Sequence, residues 1–320
     1  MTDFFTNNQL CRDLGLQYPV FQGAMAYIST AELAAAVSNA GGLGILYSGQ
    51  SPADEVRAEI RRCRELTDKP FGVNLMLQNP HIDAVLDVVA AEGVPVVTTG
   101  AGSPAAALER LAPLGVKVIP VIPNVRAAKK AASLGAYAVV AEGTESGGHV
   151  GEMTTLALLP QVLDAVDIPV LAAGGIADGR AMAAMLLMGA VGVQMGTAFL
   201  LADECPISDA YKQKIIEAAD TDTIVTGRGT SHVVRSLKNP MSLRYSELEQ
   251  QGADHTELDA LAERGLQKAM DGDVEWGCMM AGQISGLLQR TDSCANIIRT
   301  ICGDAAKRLL SAADVLSRAE

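Results

Sequence analysis

Residues 168–199 read IPVLAAGGIADGRAMAAMLLMGAVGVQMGTAF, and this stretch decides the fold. An apolar run from Ile168 stops at two glycines, an Ala- and Met-rich segment spans Arg180 to Met188, and a second apolar run begins at Gly192. Short apolar runs of this kind indicate buried strands, and the segment between them has the composition of a helix. The stretch therefore predicts a strand, a glycine turn, a helix and a further strand, which together form a β–α–β unit.

Six more apolar runs precede this unit, each bounded by Gly, Pro or Asn: YPVFQG from Tyr18, GLGILYS from Gly42, FGVNLM from Phe71, VPVVTTG from Val94, KVIPVI from Lys117 and YAVVAEG from Tyr137. The eight runs begin about 20 to 31 residues apart, a spacing that fits β–α units. Helices are predicted between them at Thr30–Asn39, Pro52–Thr67, Arg126–Leu134 and Thr155–Val166. Eight such units in succession predict an α/β protein with a (β/α)8 TIM barrel. The alternative, a doubly wound sheet, predicts a GxGxxG turn after the first strand, and QGAMAY lacks that spacing.

The pattern changes after Phe199, where the chain becomes more polar, more charged and less periodic. We expect about residues 201–281 to form a small, mainly helical second domain that covers the C-terminal face of the barrel and contributes to the substrate site. Residues 1–200 and about 282–320 would form the barrel, with a helix from Ser293 to Arg318 returning to it.

Composition and charge argue against several classes of function. The chain has 320 residues and a formal charge of −12, which disfavours binding to a nucleic-acid backbone. Its six cysteines form no CxxC pair and have no nearby His at ligand spacing, so neither a metal site nor a disulfide framework is predicted. The uncharged stretch Ala181–Ala202 divides at Gly189 into a helix and a strand, which argues against a membrane span. The N-terminal sequence lacks the features of a signal peptide, and we expect a cytoplasmic protein.

Barrel enzymes place their active sites where strands end and loops begin, at the C-terminal face. Glycine turns follow the last two predicted strands, at Gly174–Gly175 and at Gly196. Such turns either bind a phosphate through backbone N–H groups, helped by the N-terminus of the helix beyond, or simply connect strand to helix. Neither turn contains Lys or Arg, and the amides of Gln22, Asn74 and Gln194 lie at strand ends where they can bond a heteroaromatic ring. Together these features favour flavin mononucleotide (FMN) as the ligand.

His149 is the one imidazole at a predicted strand end, in the stretch EGTESGGHVG. An imidazole at that position can carry out acid–base chemistry near neutral pH. The alternative interpretation is a surface-loop histidine with no chemical role. Glu142 and Glu145 in the same stretch either orient His149, contact the ribityl hydroxyls or remain solvated loop charges.

A local excess of positive charge lies between Thr223 and Ser246, which contains no Asp or Glu. Arg228, Arg235 and Lys238 are candidates for binding the phosphate of a substrate or of its carrier. A scattered, solvated face is the alternative interpretation.

Several motifs resemble those of the flavin-dependent enoyl-[acyl-carrier-protein] reductase II group, a branch of the nitronate monooxygenase (2-nitropropane dioxygenase-like) family. The motifs extend over nearly the whole chain: YPVFQGAMAY, AGGLGIL, TDKPFGVNLML, VVTTGAG, AEGTESGGHVGEMTT, IPVLAAGGIADGR, GVQMGTAFL, SHVVRSLKNP and MAGQISG. The sequence departs from the family pattern at Ala24, Tyr27, Ser146 and Ala198.

The resemblance implies a TIM barrel with FMN at its C-terminal mouth, and His149 as the active-site histidine. The residues expected to contact FMN are Gly23, Ala24, Met25, Asn74, Glu142, Gly147, Gly148, Gly174, Gly175, Gln194, Met195, Gly196, Thr197, Met280, Ala281 and Gln283. It also implies NADH or NADPH as reductant, response to a monovalent cation in some members, and a homodimer.

The expected activity is reduction of trans-2-enoyl thioesters of acyl carrier protein or coenzyme A, the last step of fatty-acid elongation. Nitronate monooxygenase and NAD(P)H:quinone reductase are alternatives within the same fold. A flavin-free phosphosugar isomerase or lyase, or a phosphate-binding protein without catalysis, is the alternative outside flavin chemistry.

Overall fold

Eight parallel strands close into a barrel in the computed structural model, which describes residues 4–230 and 233–317. The barrel strands are β1 (Val20–Gln22), β2 (Gly44–Tyr47), β3 (Phe71–Met76), β4 (Val96–Gly100), β5 (Lys117–Ile122), β6 (Val139–Glu142), β8 (Val170–Ala173) and β9 (Gly192–Met195). Their order is β1-β9-β8-β6-β5-β4-β3-β2, and a parallel bridge between Phe21 and Leu43 joins the two ends. The predicted (β/α)8 barrel is confirmed. Residues 231 and 232, which begin the SHVVRSLKNP motif, lie outside the described residues.

Most of the helices follow barrel strands and cover the outside of the sheet, while four of those described lie in residues 201–281. Their bounds are α1 (Gln9–Leu14), α2 (Ala31–Asn39), α3 (Ala53–Leu66), α4 (Ile82–Ala91), α5 (Ala105–Leu111), α6 (Val125–Ser133), α7 (Thr155–Leu163), α8 (Gly179–Leu187), α9 (Thr197–Leu200), α10 (Asp209–Glu217), α11 (Pro240–Gln251), α12 (His255–Ala262), α13 (Gly265–Met270) and α14 (Cys294–Ser317). Short 3-10 turns occur at Ala112–Leu114 and Gln283–Leu287. The apolar residues of α3, Val56, Ile60 and Cys63, recur at helical spacing and are its buried face.

The long C-terminal helix α14 packs on α8 and α2 at the outside of the barrel. Close approach depends on Gly179, since a Cβ there would lie 2.5 Å from the backbone nitrogen of Ala305. The Cys302 thiol lies 4.0 Å from the sulfur of Met182 across the same contact. The return of the C-terminal helix to the barrel is therefore a packed helix pair rather than a loose appendage.

A second, three-stranded sheet stands over the barrel mouth. It consists of β7 (Gly148–His149), β11 (Val234–Leu237) and β10 (Thr223–Thr226), with antiparallel pairing throughout. The prediction of a mainly helical segment missed this sheet, because its strands have only two to four residues and one of them pairs only with a distant part of the chain. We call residues 201–281 the cover segment.

The hydrophobic core of the barrel continues into the cover segment. Leu237, Ala269 and Met279 are buried in the same cluster as the barrel strands, while α11 and α12 enclose a small separate cluster around Tyr245 and Leu258. The proposed division at about residues 201 and 281 stays a prediction. All six cysteines are free. Within residues 4–230 and 233–317, no helix combines the length and apolar character needed to cross a bilayer.

Candidate active site at the mouth of the barrel

The glycine turns after β8 and β9 lie next to each other at the C-terminal face. Gly174 and Gly175 have φ angles of 90° and 73°, a left-handed conformation that residues with a Cβ rarely adopt. A Cβ on Gly174 would also lie 2.8 Å from the carbonyl oxygen of Gly143. Among the described residues, the backbone N–H groups of Gly175 and Gly196 meet no acceptor. Unpaired N–H groups in adjacent glycine turns form a cradle that suits an anion.

The helix beyond the first turn contributes less to this cradle than the sequence suggested. Asp178 is the N-cap of α8, and its side chain accepts hydrogen bonds from the backbone nitrogens of Arg180 and Ala181. The positive end of α8 is thus already neutralised by a carboxylate of the chain. Any phosphate at this mouth would depend on the turn N–H groups instead.

The three amides predicted to bond a heteroaromatic ring differ in their surroundings. Gln22 is fully buried, and its oxygen accepts from the Ile45 backbone nitrogen while its nitrogen donates to the Ser29 hydroxyl. Gln22 is therefore engaged inside the barrel and unavailable to a ligand, contrary to the prediction. Gln194 is only 7% exposed, yet its side-chain amide has no hydrogen-bond partner among the described residues. Its amide atoms are not sealed from solvent, so they are available to hydrogen-bond a ligand at the mouth.

Asn74 and the turn after β1 border Gln194. The Asn74 amide nitrogen donates to the Thr98 hydroxyl at 3.0 Å, and no described donor meets its oxygen. A Cβ on Gly23 would lie 3.1 Å from the Gln194 side chain, and one on Gly196 would lie 3.8 Å from the sulfur of Met25. Ala24 and Met25 are half-buried there, whereas Met195 is buried in the core.

His149 stands exposed at the mouth on the short strand β7. Its strand partner is Val234, and Gly148 pairs with Arg235. The neighbouring Gly147 packs directly on the end of the cover segment, because a Cβ there would lie 2.6 Å from the backbone of Ala281. The histidine is thus held between the barrel and the cover segment.

The stretch from Met280 to Gln283 closes over the loop that carries His149. The Met280 sulfur would lie 3.6 Å from a Cβ on Gly148, and the Gln283 backbone nitrogen donates to the Glu145 carbonyl at 2.9 Å. The Gly282 nitrogen donates to the hydroxyl of Thr197, also at 2.9 Å. Ala281 is buried while the side chain of Gln283 is exposed. The structure therefore brings the expected residues of this segment to the mouth.

The two carboxyls in the loop after β6 have different environments. Burial raises the pKa of Glu142 to about 7, and the Ser146 hydroxyl offsets this only in part. Glu145 instead accepts hydrogen bonds from the backbone nitrogen and hydroxyl of Thr155, at 2.9 to 3.0 Å. Glu145 therefore anchors its loop to the start of α7, which is a structural role. Thr155 was not singled out in the sequence, although its hydroxyl oxygen also lies 3.0 Å from the carbonyl oxygen of Gly174.

The basic segment does not present all its charges to solvent. Arg235 is 7% exposed, and its Nε donates to the Thr144 carbonyl while Nη1 donates to the Thr223 hydroxyl. These bonds, rather than a phosphate, account for its position, which corrects the phosphate-binding prediction for this residue. Arg228 and Lys238 are exposed, and for them that role stays a prediction.

These residues fit the phosphate and ring of FMN on three grounds. The unpaired N–H groups of Gly175 and Gly196 suit a phosphate. The unpaired amide of Gln194 suits the polar edge of a flavin ring. The oxygen of Asn74 has no described donor and lies across the mouth on β3.

Comparisons with known proteins place the chain in a family. The sequence pattern of nitronate monooxygenase matches residues 7–85 and 81–304. The structure of FabK from Thermotoga maritima superposes with a TM-score of 0.93 at 41% identity, covering 97% of this chain and 99% of that one.

Two sequence relatives span similar lengths. The (3aS,4S,5R,7aS)-5-hydroxy-7a-methyl-1-oxo-octahydro-1H-indene-4-carboxyl-CoA dehydrogenase of Rhodococcus jostii is 36% identical over 92% of this chain and 95% of its own length. A probable nitronate monooxygenase of Staphylococcus saprophyticus is 33% identical over 89% of this chain and 94% of its own length.

A protein that spans these relatives almost end to end and keeps their barrel is, by class, an FMN-dependent oxidoreductase built on a TIM barrel. More narrowly, the chain belongs to the nitronate monooxygenase family. The family resemblance found in the motifs is confirmed.

Proposed function

We propose that the protein reduces the double bond of trans-2-enoyl thioesters of acyl carrier protein or coenzyme A, with NADH or NADPH as electron source. The observation that carries the proposal is the position of His149, exposed on β7 at the end of the loop that borders the Gly174–Gly175 turn. The motifs of the reductase branch, the similarity to FabK and the carboxyl-CoA thioester in the name of the Rhodococcus relative support this substrate class.

FMN, when bound, supplies hydride transfer from the nicotinamide to the β-carbon of the enoyl group. The chain's own groups supply binding and proton transfer. The N–H groups of Gly175 and Gly196 would hold the phosphate, and the Gln194 amide would bond the ring edge. His149 delivers a proton to the α-carbon of the thioester, a role open to an imidazole because this group can both bind and release a proton, and the residue is exposed.

Nitronate monooxygenase is the second candidate, and the family pattern and the Staphylococcus relative favour it. The same exposed His149 would then take a proton from the carbon next to a nitro group. The two candidates differ in the co-substrate: the reductase requires a nicotinamide, whereas the monooxygenase requires oxygen. Reduction of a quinone by NAD(P)H is a third outcome of the same assay.

The test is an anaerobic assay with FMN-loaded protein, NADH or NADPH, and a short trans-2-enoyl thioester. We expect nicotinamide oxidation that depends on the enoyl thioester and proceeds without oxygen. Bleaching of the flavin by nicotinamide without a response to the enoyl thioester would favour a quinone acceptor. No reduction by nicotinamide, with turnover of a nitronate in air, would establish the monooxygenase instead.

His149→Gln tests the role of the imidazole within this function. The variant keeps a polar side chain of similar size but cannot carry a proton, so we expect enoyl-dependent turnover to fall about 100-fold or more. FMN affinity, measured from quenching of flavin fluorescence, should stay within about twofold, since the imidazole is not part of the cradle. His81→Gln, at the start of α4, is the control. Unchanged turnover in His149→Gln would remove this residue from the mechanism.

A further inference from the structure

A cavity of about 560 Å³ lies between the turn after β1 and helices α11 to α13 of the cover segment. Its walls are formed mainly by apolar side chains: Ala26, Val234, Met241, Leu266 and Met280. Tyr27 and Tyr245 add aromatic surface. Ligand sites in proteins are typically concave, apolar and of this size.

The cavity adjoins the strand that carries His149, the residue that we place in proton transfer. Val234, one of its wall residues, is the strand partner of His149. Met280, another wall residue, lies against Gly148 through its sulfur. A molecule with its reacting group at His149 can therefore extend its remaining length into this cavity.

The wall contains small residues, and charged residues lie at the rim of the cavity. Ala26 and Ala262 are wall residues, and a larger side chain at either position would reduce the volume. Asp259 and Arg264 are exposed, and Arg264 makes no hydrogen bond or ion pair with any residue in the described ranges. Because the charges face water, the interior offers an extended molecule chiefly apolar contacts.

We propose that this cavity is the subsite for the acyl chain of the thioester substrate, with Ala262 in α12 limiting the length of chain that fits. The proposal rests on the function proposed above, because it assumes that the reacting double bond lies at His149. A linear or alicyclic hydrocarbon portion is the chemistry that suits such walls, since they offer few hydrogen-bond partners.

Binding of saturated acyl thioesters tests the subsite without any catalytic step. We would titrate FMN-loaded protein with N-acetylcysteamine thioesters from butanoyl to decanoyl in a calorimeter. Each added methylene should raise the affinity about fourfold until the cavity is full. The gain should then stop, because further methylenes would remain in water.

Ala262→Trp is designed to fill part of the cavity. Ala260→Trp is the matched control on the same helix, since Ala260 is exposed like Ala262 but lies outside the cavity wall. We expect Ala262→Trp to bind the decanoyl thioester about 16-fold more weakly than the parent protein, a loss equivalent to two methylenes at fourfold each. Binding of the butanoyl thioester should stay within about twofold, and Ala260→Trp should match the parent for every chain length.

Three results would overturn the subsite. They are an affinity that does not depend on chain length, equal binding by the two tryptophan variants, and an affinity that rises only when coenzyme A replaces N-acetylcysteamine. The last would assign the cavity to the pantetheine arm. If the parent protein does not reduce enoyl thioesters but its affinity for saturated thioesters still depends on chain length, the proposed reaction is contradicted and the subsite is supported.

Discussion

Glu142 ends β6 inside the mouth, and no Lys or Arg among the described residues offsets its charge. Burial disfavours the ionised carboxylate and raises its pKa from an ordinary value of 4.5 to about 7. The unfolded chain ionises this group first as the pH rises. The contribution of Glu142 to folding stability therefore falls between about pH 4.5 and pH 7 and is constant above that range.

Glu142→Gln removes this ionisation and keeps the shape of the side chain. We expect the unfolding free energy of the variant to exceed that of the parent by about 2 kcal/mol at pH 8 and to equal it at pH 4. The expected difference is smaller than the free energy that corresponds to the whole pKa shift, because the side chain keeps some contact with water. Urea unfolding at the two pH values, with flavin removed, measures the difference. Glu152→Gln, at an exposed position ten residues further along the loop, should show no such pH dependence. Equal stability of parent and Glu142→Gln at pH 8 would contradict a raised pKa.

At the scale of single elements, Arg235 joins three parts of the chain that are distant in sequence. It lies on β11, bonds Thr223 on β10, and bonds the Thr144 carbonyl in the loop after β6. The same loop continues to His149, whose strand pairs with β11. The guanidinium is therefore placed to hold the histidine strand over the mouth.

Arg235→Gln should loosen that strand, because the Thr144 carbonyl loses its donor. We expect a loss of about 2 kcal/mol in unfolding free energy and faster amide hydrogen exchange in residues 143–149. Arg228→Gln, in the exposed turn of the same hairpin, is the control and should change neither. Unaltered exchange in the Arg235 variant would mean that strand pairing alone holds the loop.

At the scale of the whole molecule, one hydrophobic cluster joins the barrel to part of the cover segment. Elements that share a core unfold together, since exposing one removes the packing of the other. The protein has a single tryptophan, Trp276, which lies half-exposed in the cover segment. The barrel helices dominate the far-ultraviolet circular dichroism.

We therefore expect the fluorescence of Trp276 and the circular dichroism to report the same transition midpoint in urea. Leu237→Ala should shift both midpoints downward together, because Leu237 is 3% exposed and belongs to the shared cluster. The expected cost is about 2 to 4 kcal/mol. Leu243→Ala, at an exposed position of α11, serves as the control. A tryptophan transition that precedes the loss of helix signal would show that the cover segment unfolds on its own.

The sequence by itself determined the barrel, the position of its glycine turns and the location of His149 at the mouth. These features depend on local pattern: an apolar run, a turn residue and an amphipathic segment each specify their own element within a few residues. The helix Ala53–Leu66 agrees with the predicted Pro52–Thr67 to within one residue at each end. The agreement is close because Pro and Asp mark the N-terminal limit and the loss of apolar periodicity marks the C-terminal limit.

Only the tertiary structure decided which polar side chains remain free for a ligand. Gln22 and Gln194 look alike in sequence, yet Ser29 and Ile45 satisfy the first while the second has no described partner. In the sequence, Arg235 is one of several basic residues in a segment, and only the structure shows that it bonds Thr144 and Thr223. Availability of this kind depends on groups brought together from distant parts of the chain, and no local pattern encodes them. The sheet over the mouth and the cavity beside it exist for the same reason: both form only where the barrel and the cover segment meet.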